Sequence, residues 1–166
     1  MKTAKTWFFI VIMLAGLEPH RAFAGQGVYV DAGPGVIQSL DTGAVALRYD
    51  IDTEPSWKMD GFYEAAIVHW GGKNHSTDYA VARGLLWNAP DDTYVSGALG
   101  LSAIDRQTHN LGTPLQFYIR AAWGRRIGDL DVSLGYIHIS NGKLFFGWSG
   151  PNNGANFVTL SLGKRF

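Results

Sequence analysis

Cysteine is absent from the 166 residues of the sequence, which excludes a disulfide framework and a cysteine-ligated zinc site. Charge is also scarce: 17% of the residues are charged, against about 25% in an average soluble protein. The 14 basic and 14 acidic residues balance, so the chain lacks the basic excess that phosphate binding needs, and nucleic acid is not an expected partner. No apolar run reaches the about 20 residues that a transmembrane helix requires.

The abundant residues are glycine and the aromatics, with 21 Gly, 6 Trp, 7 Tyr and 9 Phe. An apolar fraction of 46% in a chain of this length permits one folded domain but not two large ones. Many glycines and aromatics combined with few charges favour β-structure or membrane contact over a water-soluble helical enzyme.

The first 24 residues have the pattern of a secretory signal peptide. Lys2 and Lys5 precede an apolar run at 7–17, and the small-x-small site Ala22-Phe23-Ala24 follows it. The alternative is an N-terminal membrane anchor, but the run is too short to span a bilayer as a helix. We therefore predict cleavage after Ala24 and a mature domain of residues 25–166.

Beyond this leader, apolar residues alternate with polar or small ones at the period of a β-strand. The clearest of eight such segments has one face formed by Leu115, Phe117, Ile119, Ala121 and Trp123, and the other by Gln116, Tyr118, Arg120, Ala122 and Gly124. The segment at 79–87 is ambiguous, because Arg83 shares a face with Val81 and Leu85. The pattern predicts an all-β chain of eight antiparallel strands.

Eight such strands can close with the apolar face inward, as a soluble sandwich or lipocalin-like barrel, or outward, as a membrane barrel. The opposite face carries these ions: Asp31, Arg48, Asp50, Glu64, Arg120 and Asp131. Ions can pair inside a small barrel whose interior is polar and filled by side chains. This favours an eight-stranded antiparallel transmembrane β-barrel in a Gram-negative outer membrane, with a soluble β-barrel as the alternative.

The predicted connections differ in length in a way that fits the same architecture. The long, polar ones are 34–42, 71–78, 105–113 and 141–155. Those at 88–92 and 127–130 are short, and the one at 52–59 is intermediate. Long loops at one end and short turns at the other are typical of outer-membrane barrels, whose long loops face outward.

The chemically informative residues lie on the seventh predicted strand. His138 and Ser140 are two positions apart, so they share the side that Tyr136 and Leu134 also occupy, which is the lipid-facing one. Polar groups at a membrane edge are costly and often functional. The alternative interpretation is that the strand has left the hydrocarbon by residue 138 and that both side chains lie among headgroups.

The stretch Tyr136-Ile137-His138-Ile139-Ser140-Asn141-Gly142, followed by Pro151-Asn152-Asn153-Gly154-Ala155-Asn156-Phe157 and a last strand, resembles the C-terminal signature of the lipid A 3-O-deacylase (PagL) family. The resemblance implies an eight-stranded outer-membrane esterase. Such an enzyme removes the 3-hydroxyacyl chain ester-linked at position 3 of lipid A, without a cofactor.

The resemblance also implies a role for each matching residue. Ser140 corresponds to the nucleophile, His138 to the general base, and Asn141 to the residue that stabilises the oxyanion, with the backbone around Gly142 as a further donor. The family has a glutamate where this chain has Asn156. The loop 141–155 is also longer than the family's, with three aromatic residues inserted: Phe145, Phe146 and Trp148.

Asn156 has the strand parity of Val158 and Leu160, which places it on the outward face beside His138. An asparagine can accept a hydrogen bond from the histidine ring and orient it, but it does much less than a carboxylate to stabilise the imidazolium. We therefore expect reduced rather than absent hydrolysis. A catalytically silent relative is the alternative.

The predicted topology brings the end of the seventh strand into the outer leaflet, where the implied substrate, the lipid A of lipopolysaccharide, resides. Two other functions are open: a noncatalytic structural or adhesion barrel, and a palmitoyl-transfer barrel, although Gly25-Gln26-Gly27 leaves no room for the amphipathic helix that precedes the first strand in such proteins. No carboxylate stands at a convincing ligand spacing from His69, His75 or His109, so we expect no metal site. The choice between a monomer and a homodimer stays open.

Overall fold

The structure, a computed structural model, describes residues 25–39, 41–141, 143 and 150–166. The described residues form eight strands: β1 (Gln26–Pro34), β2 (Gly43–Ser56), β3 (Met59–Trp70), β4 (Ser76–Asn88), β5 (Thr93–Ile104), β6 (Leu115–Ile127), β7 (Leu130–Ser140) and β8 (Ala155–Arg165), with a short 3-10 helix at Ile37–Ser39. Each strand pairs antiparallel with the next, and β1 pairs with β8, which closes the barrel. None of the helices in this part of the chain is long and apolar enough to cross a membrane. The predicted signal peptide lies outside the described residues.

The apolar side of each strand faces outward, as predicted for a membrane barrel. In β1, Val28 and Val30 are 40% and 50% exposed, whereas Tyr29 and Asp31, which alternate with them, are 3% and 2% exposed. The other strands present the same kind of wall, which includes Leu47, Ile67, Leu99, Ile119, Trp123, Leu134, Leu160 and Leu162. An apolar wall this extensive excludes the soluble barrel with its apolar face inward.

The ambiguous β4 keeps this alternation with Arg83 on the outward face. The Arg83 guanidinium donates hydrogen bonds to the carbonyl oxygens of Phe62 and Gly84, at 3.0 and 3.1 Å. It also lies over the Tyr63 ring, 5.2 Å from the centroid. The backbone acceptors and the ring together satisfy a charge that would otherwise be costly on a lipid-facing wall.

The barrel interior contains the predicted ions, and they form a network. Arg48 bonds Asp31 at 3.1 Å and Asp50 at 2.7 Å, and Arg120 bonds Glu64 at 2.8 Å. All five side chains are at most 7% exposed. The Arg48–Asp31 pair joins β2 to β1, and the Arg120–Glu64 pair joins β6 to β3 across the lumen, so paired charges fill the interior.

The connections divide into a loop end and a turn end. The loop end has the connections 35–42, 71–75, 105–114 and 141–154, and the turn end has 57–58, 89–92 and 128–129. The predicted intermediate loop at 52–59 is the main difference, because β2 and β3 continue through it to a two-residue turn. Trp57 and Lys58 both have positive φ, 52° and 64°, which matches the twist of a tight hairpin without the glycine or asparagine that would have indicated one.

Near the loop end, the lumen is closed mainly by apolar side chains, with the fully buried Asp78 in register with Val68 and Ile104. Val68, Trp70, Ile104, Leu111, Ile137, Ile139 and Phe157 are buried there. The rings of Trp70 and Phe157 lie 5.8 Å apart, between β3 and β8. Three of these residues, Ile137, Ile139 and Phe157, are inward neighbours of the predicted site residues, so close packing holds the strands that carry the site.

Candidate active site

The antiparallel register of β7 and β8 brings two predicted site residues face to face. His138 pairs directly with Asn156, and both project from the outward side of the barrel near the loop end. On the inward side, Ile137 and Ile139 are fully buried. Strand alternation thus separates the apolar anchors from the polar side chains.

A hydrogen bond of 2.7 Å joins His138 Nδ1 and Asn156 Oδ1. Because an amide oxygen only accepts hydrogen bonds, Nδ1 carries the proton in this arrangement. When the ring is neutral, the other nitrogen, Nε2, is then unprotonated and can accept a proton. This is the histidine tautomer that a general base requires.

Tyr136 is a member of the site that the sequence analysis did not assign. Its hydroxyl donates a 2.6 Å hydrogen bond to the same Oδ1 atom of Asn156. Tyr136 lies two residues before His138 on the outward face of β7. The sequence shows that Tyr136 has the same strand parity as His138 and a hydroxyl at its tip. It does not show that this hydroxyl bonds Asn156 on β8.

The segment after β1 covers Asn156 and was also missed. The backbone N–H of Asn156 donates to Ser39 Oγ at 3.2 Å, and the N–H of Val36 donates to the Asn156 carbonyl at 2.8 Å. Asn156 is therefore only 3% exposed although it lies on the outer side of the barrel. A Cβ at Gly35 would lie 1.9 Å from the Ser39 carbonyl oxygen, so this tight return needs glycine there.

Gly154 lies close to the His138 ring and leaves room for it. Its φ is +76°, a conformation that glycine adopts without strain. A Cβ at this position would lie 3.1 Å from His138 Cε1 and 3.4 Å from Asn156 Nδ2. The glycine of the Pro-Asn-Asn-Gly turn thus permits both the backbone turn and the close approach of the ring.

Ser140 ends β7, two residues beyond His138 on the same outward face, and is half-buried. Within the described residues, no hydrogen bond joins its hydroxyl to His138. Catalytic hydrogen bonds are often long or poorly aligned before substrate binds. The serine and the histidine therefore share a face and a strand, while their proton-transfer contact is not formed in the free protein.

Asn141 is fully buried and links the end of β7 to the return of the last loop. Its Nδ2 donates to the Pro151 carbonyl at 3.1 Å, and its Oδ1 accepts from the Lys143 backbone N–H at 3.1 Å. Its own backbone N–H donates to Asn152 Oδ1 at 3.0 Å. One of the two Nδ2 hydrogens is thereby used, and the second is left for another acceptor.

The remaining sequence candidates are residues that the structure does not describe and histidines elsewhere on the barrel. Gly142, Phe145, Phe146 and Trp148 are outside the described residues. Among the described histidines, His69 bonds Thr77 Oγ1 at 3.0 Å on the opposite side of the barrel. No group of three or more His, Cys, Asp or Glu side chains in the described part of the chain is arranged to hold a metal ion.

The closed barrel, its apolar wall and the polar site at its loop end define the chain as an outer-membrane β-barrel. The family model of the lipid A 3-O-deacylase (PagL) family matches residues 41–165, and the chain belongs to this family. This confirms the relationship predicted from the C-terminal residues.

Solved structures agree with the fold. The crystal structure of the outer-membrane enzyme PagL is 22% identical, with a TM-score of 0.65, and the match covers 83% of this chain and 98% of that one. A de novo designed transmembrane β-barrel is 13% identical, with a TM-score of 0.58 over 88% and 98% of the two chains. The Yersinia pestis outer-membrane protein Ail is 12% identical, with a TM-score of 0.55 over 86% and 99%. No curated protein sequence matches the chain significantly.

Proposed function

We propose that this protein hydrolyses the ester that links a 3-hydroxyacyl chain to position 3 of lipid A. The observation that carries the proposal is the His138 Nδ1 to Asn156 Oδ1 hydrogen bond of 2.7 Å, on the lipid-facing wall beside Ser140. A histidine oriented in this way next to a serine is the core of an esterase site. Membership of the lipid A 3-O-deacylase family supports lipid A as the substrate.

In the proposed reaction, Ser140 Oγ attacks the ester carbonyl carbon while His138 Nε2 takes the serine proton. The oxyanion accepts a hydrogen bond from the second Nδ2–H of Asn141. Collapse of the intermediate breaks the bond to the sugar oxygen, which leaves as an alcohol with the proton from His138. Water then hydrolyses the acyl-serine, with His138 again as the base, and releases the 3-hydroxy acid.

The location of the site supports this chemistry. With the long loops outward, the loop end of β7 lies at the level of the outer leaflet, which contains lipid A. The ester of a lipid in that leaflet can therefore approach Ser140 along the barrel wall. The acyl chain stays beside the apolar wall while the sugar lies at the membrane surface.

The neutral amide of Asn156 lowers the rate of hydrolysis that we expect. Its amide orients His138 through the observed hydrogen bond, but it carries no negative charge to stabilise the imidazolium that forms in the transition state. We propose a working esterase that is slower than one with a carboxylate at position 156. The catalytic roles of Ser140, His138, Asn141 and Asn156 belong to this proposal.

The test is mass spectrometry of lipid A from cells that express the wild type or Ser140→Ala. We expect the wild type to remove one 3-hydroxyacyl chain and the variant to remove none. Thr77→Ala is the matched control, because Thr77 is also a hydroxyl residue at the loop end beside a histidine, His69, on the far side of the barrel. Identical lipid A in wild type and Ser140→Ala would contradict the esterase and favour the noncatalytic barrel.

A further inference from the structure

The Asn156 side chain differs from a carboxylate in having two unlike ends. If its amide were rotated by 180°, the NH₂ group would face His138 Nδ1. The ring would then have to accept at Nδ1 and carry its proton on Nε2. In that tautomer His138 cannot take a proton from Ser140, so the orientation of the amide decides whether the site works.

Two donors meet at the oxygen end of this amide. The Tyr136 hydroxyl lies 2.6 Å from Asn156 Oδ1, and His138 Nδ1 lies 2.7 Å from the same atom. A phenol donates hydrogen bonds strongly and accepts them weakly, because its oxygen lone pair is delocalised into the ring. Tyr136 therefore stabilises the orientation in which Oδ1 faces β7.

We propose that Tyr136 is a positioning residue that keeps the Asn156 amide, and through it the His138 tautomer, in the active arrangement. The inference rests on the proposed esterase function and names a residue that it had not used. Tyr136 touches neither Ser140 nor the reacting ester in this role. It acts through Asn156 on His138.

The neighbours of Tyr136 on the barrel wall offer its hydroxyl no alternative hydrogen-bond partner among the described residues. It lies on the outward face of β7, opposite Val158 on β8 and Ala121 on β6. Both neighbours are apolar. The described residues around the ring thus offer the hydroxyl a single hydrogen bond, the one to Asn156.

The first experiment is a double-mutant cycle with purified protein and lipid A in detergent micelles. Tyr136→Phe should lower kcat by about threefold to tenfold, the usual effect of one hydrogen bond, and leave KM within twofold. In the Asn156→Asp background the same change should lower kcat by less than about twofold, because both carboxylate oxygens accept and no orientation has to be chosen. An equal loss in both backgrounds, or no loss in the wild-type background, would overturn the proposal.

The second measurement reads the tautomer directly and does not depend on activity. ¹⁵N NMR of histidine-labelled protein, with the His138 signals assigned from His138→Gln, should show the Nδ1–H tautomer in the wild type and a growing Nε2–H population in Tyr136→Phe. Tyr49→Phe is the control, since the Tyr49 hydroxyl bonds Gln26 at the turn end, far from the site. An unchanged tautomer in Tyr136→Phe would refute the positioning role even if the protein hydrolyses lipid A. A changed tautomer in a protein that does not hydrolyse lipid A would refute the esterase and keep the positioning role.

Discussion

Replacing Asn156 by aspartate changes the charge of the candidate site and almost nothing else. Aspartate and asparagine have the same shape, and the side chain already accepts hydrogen bonds from His138 and Tyr136 at 2.7 and 2.6 Å. The variant should therefore keep the orientation of the ring. It adds a negative charge opposite the imidazolium that would form in the proposed reaction when His138 takes the proton of Ser140.

The size of the effect follows from the distance and the burial. Two unit charges about 4 Å apart attract by about 4 kcal/mol at an effective dielectric constant of about 20. Asn156 is only 3% exposed, so burying the new carboxylate offsets a large part of this attraction. A net stabilisation of the transition state by about 1–3 kcal/mol remains, which corresponds to a rate increase of roughly fivefold to 150-fold.

The assay is the release of 3-hydroxy acid from lipid A in detergent micelles, with initial rates measured for wild type, Asn156→Asp and Asn156→Glu. Asn156→Glu introduces the glutamate that the resemblance to the family implies at this position, and we expect it to raise the rate as well. Asn156→Ala is the matched control, because it removes the hydrogen-bond acceptor and should slow the reaction. A fall in the rate for both acidic variants, with the barrel intact, would mean that another group orients His138.

Two further predictions concern packing around the site and inside the barrel. Gly154→Ala should lower kcat by about tenfold, because the new Cβ would lie 3.1 Å from His138 Cε1. Gly128→Ala is the control: it has a similar φ of +62° with open space around it, so it should strain the backbone equally without affecting kcat. Equal rates for the two variants would contradict the argument. Arg120→Met should lower the free energy of unfolding by about 3 kcal/mol in a denaturant titration, because it leaves Glu64 inside the barrel with only its longer, 3.7 Å ion pair to Arg48. The double variant Glu64→Gln with Arg120→Met should lose less than the single variant, and a larger loss would show that Glu64 is stabilised mainly by other partners.

The sequence was sufficient for the barrel because strand alternation is a local property. The polar face predicted from Asp31, Arg48 and Glu64 is the interior of the structure, and the apolar face is its outer wall. Local patterns also led to the one clear difference at 52–59. A two-residue turn of Trp57 and Lys58 lacks the usual turn residues, so its tight geometry was not visible in the sequence.

The candidate site could be predicted only in part from the sequence, because its contacts join distant parts of the chain and local patterns do not show them. Parity placed His138 and Asn156 on one face, and their direct pairing depends on the register of β7 and β8. Ser39 bonds the backbone of Asn156 across 117 positions of sequence, and no local pattern indicates that contact. Tyr136 is the first residue of the stretch that resembles the family, but the sequence does not show that its hydroxyl bonds the amide oxygen of Asn156.

The pairing of β1 with β8, which closes the barrel, also contributes contacts to the candidate site. Ser39 and Val36 follow the first strand, and they hold the start of the last strand at Asn156. The bonds to Asn156 therefore form only when the two ends of the sheet have met. The hydrogen bonds that cover Asn156 thus depend on the same strand pairing that closes the barrel, so the candidate site is complete only in the closed sheet.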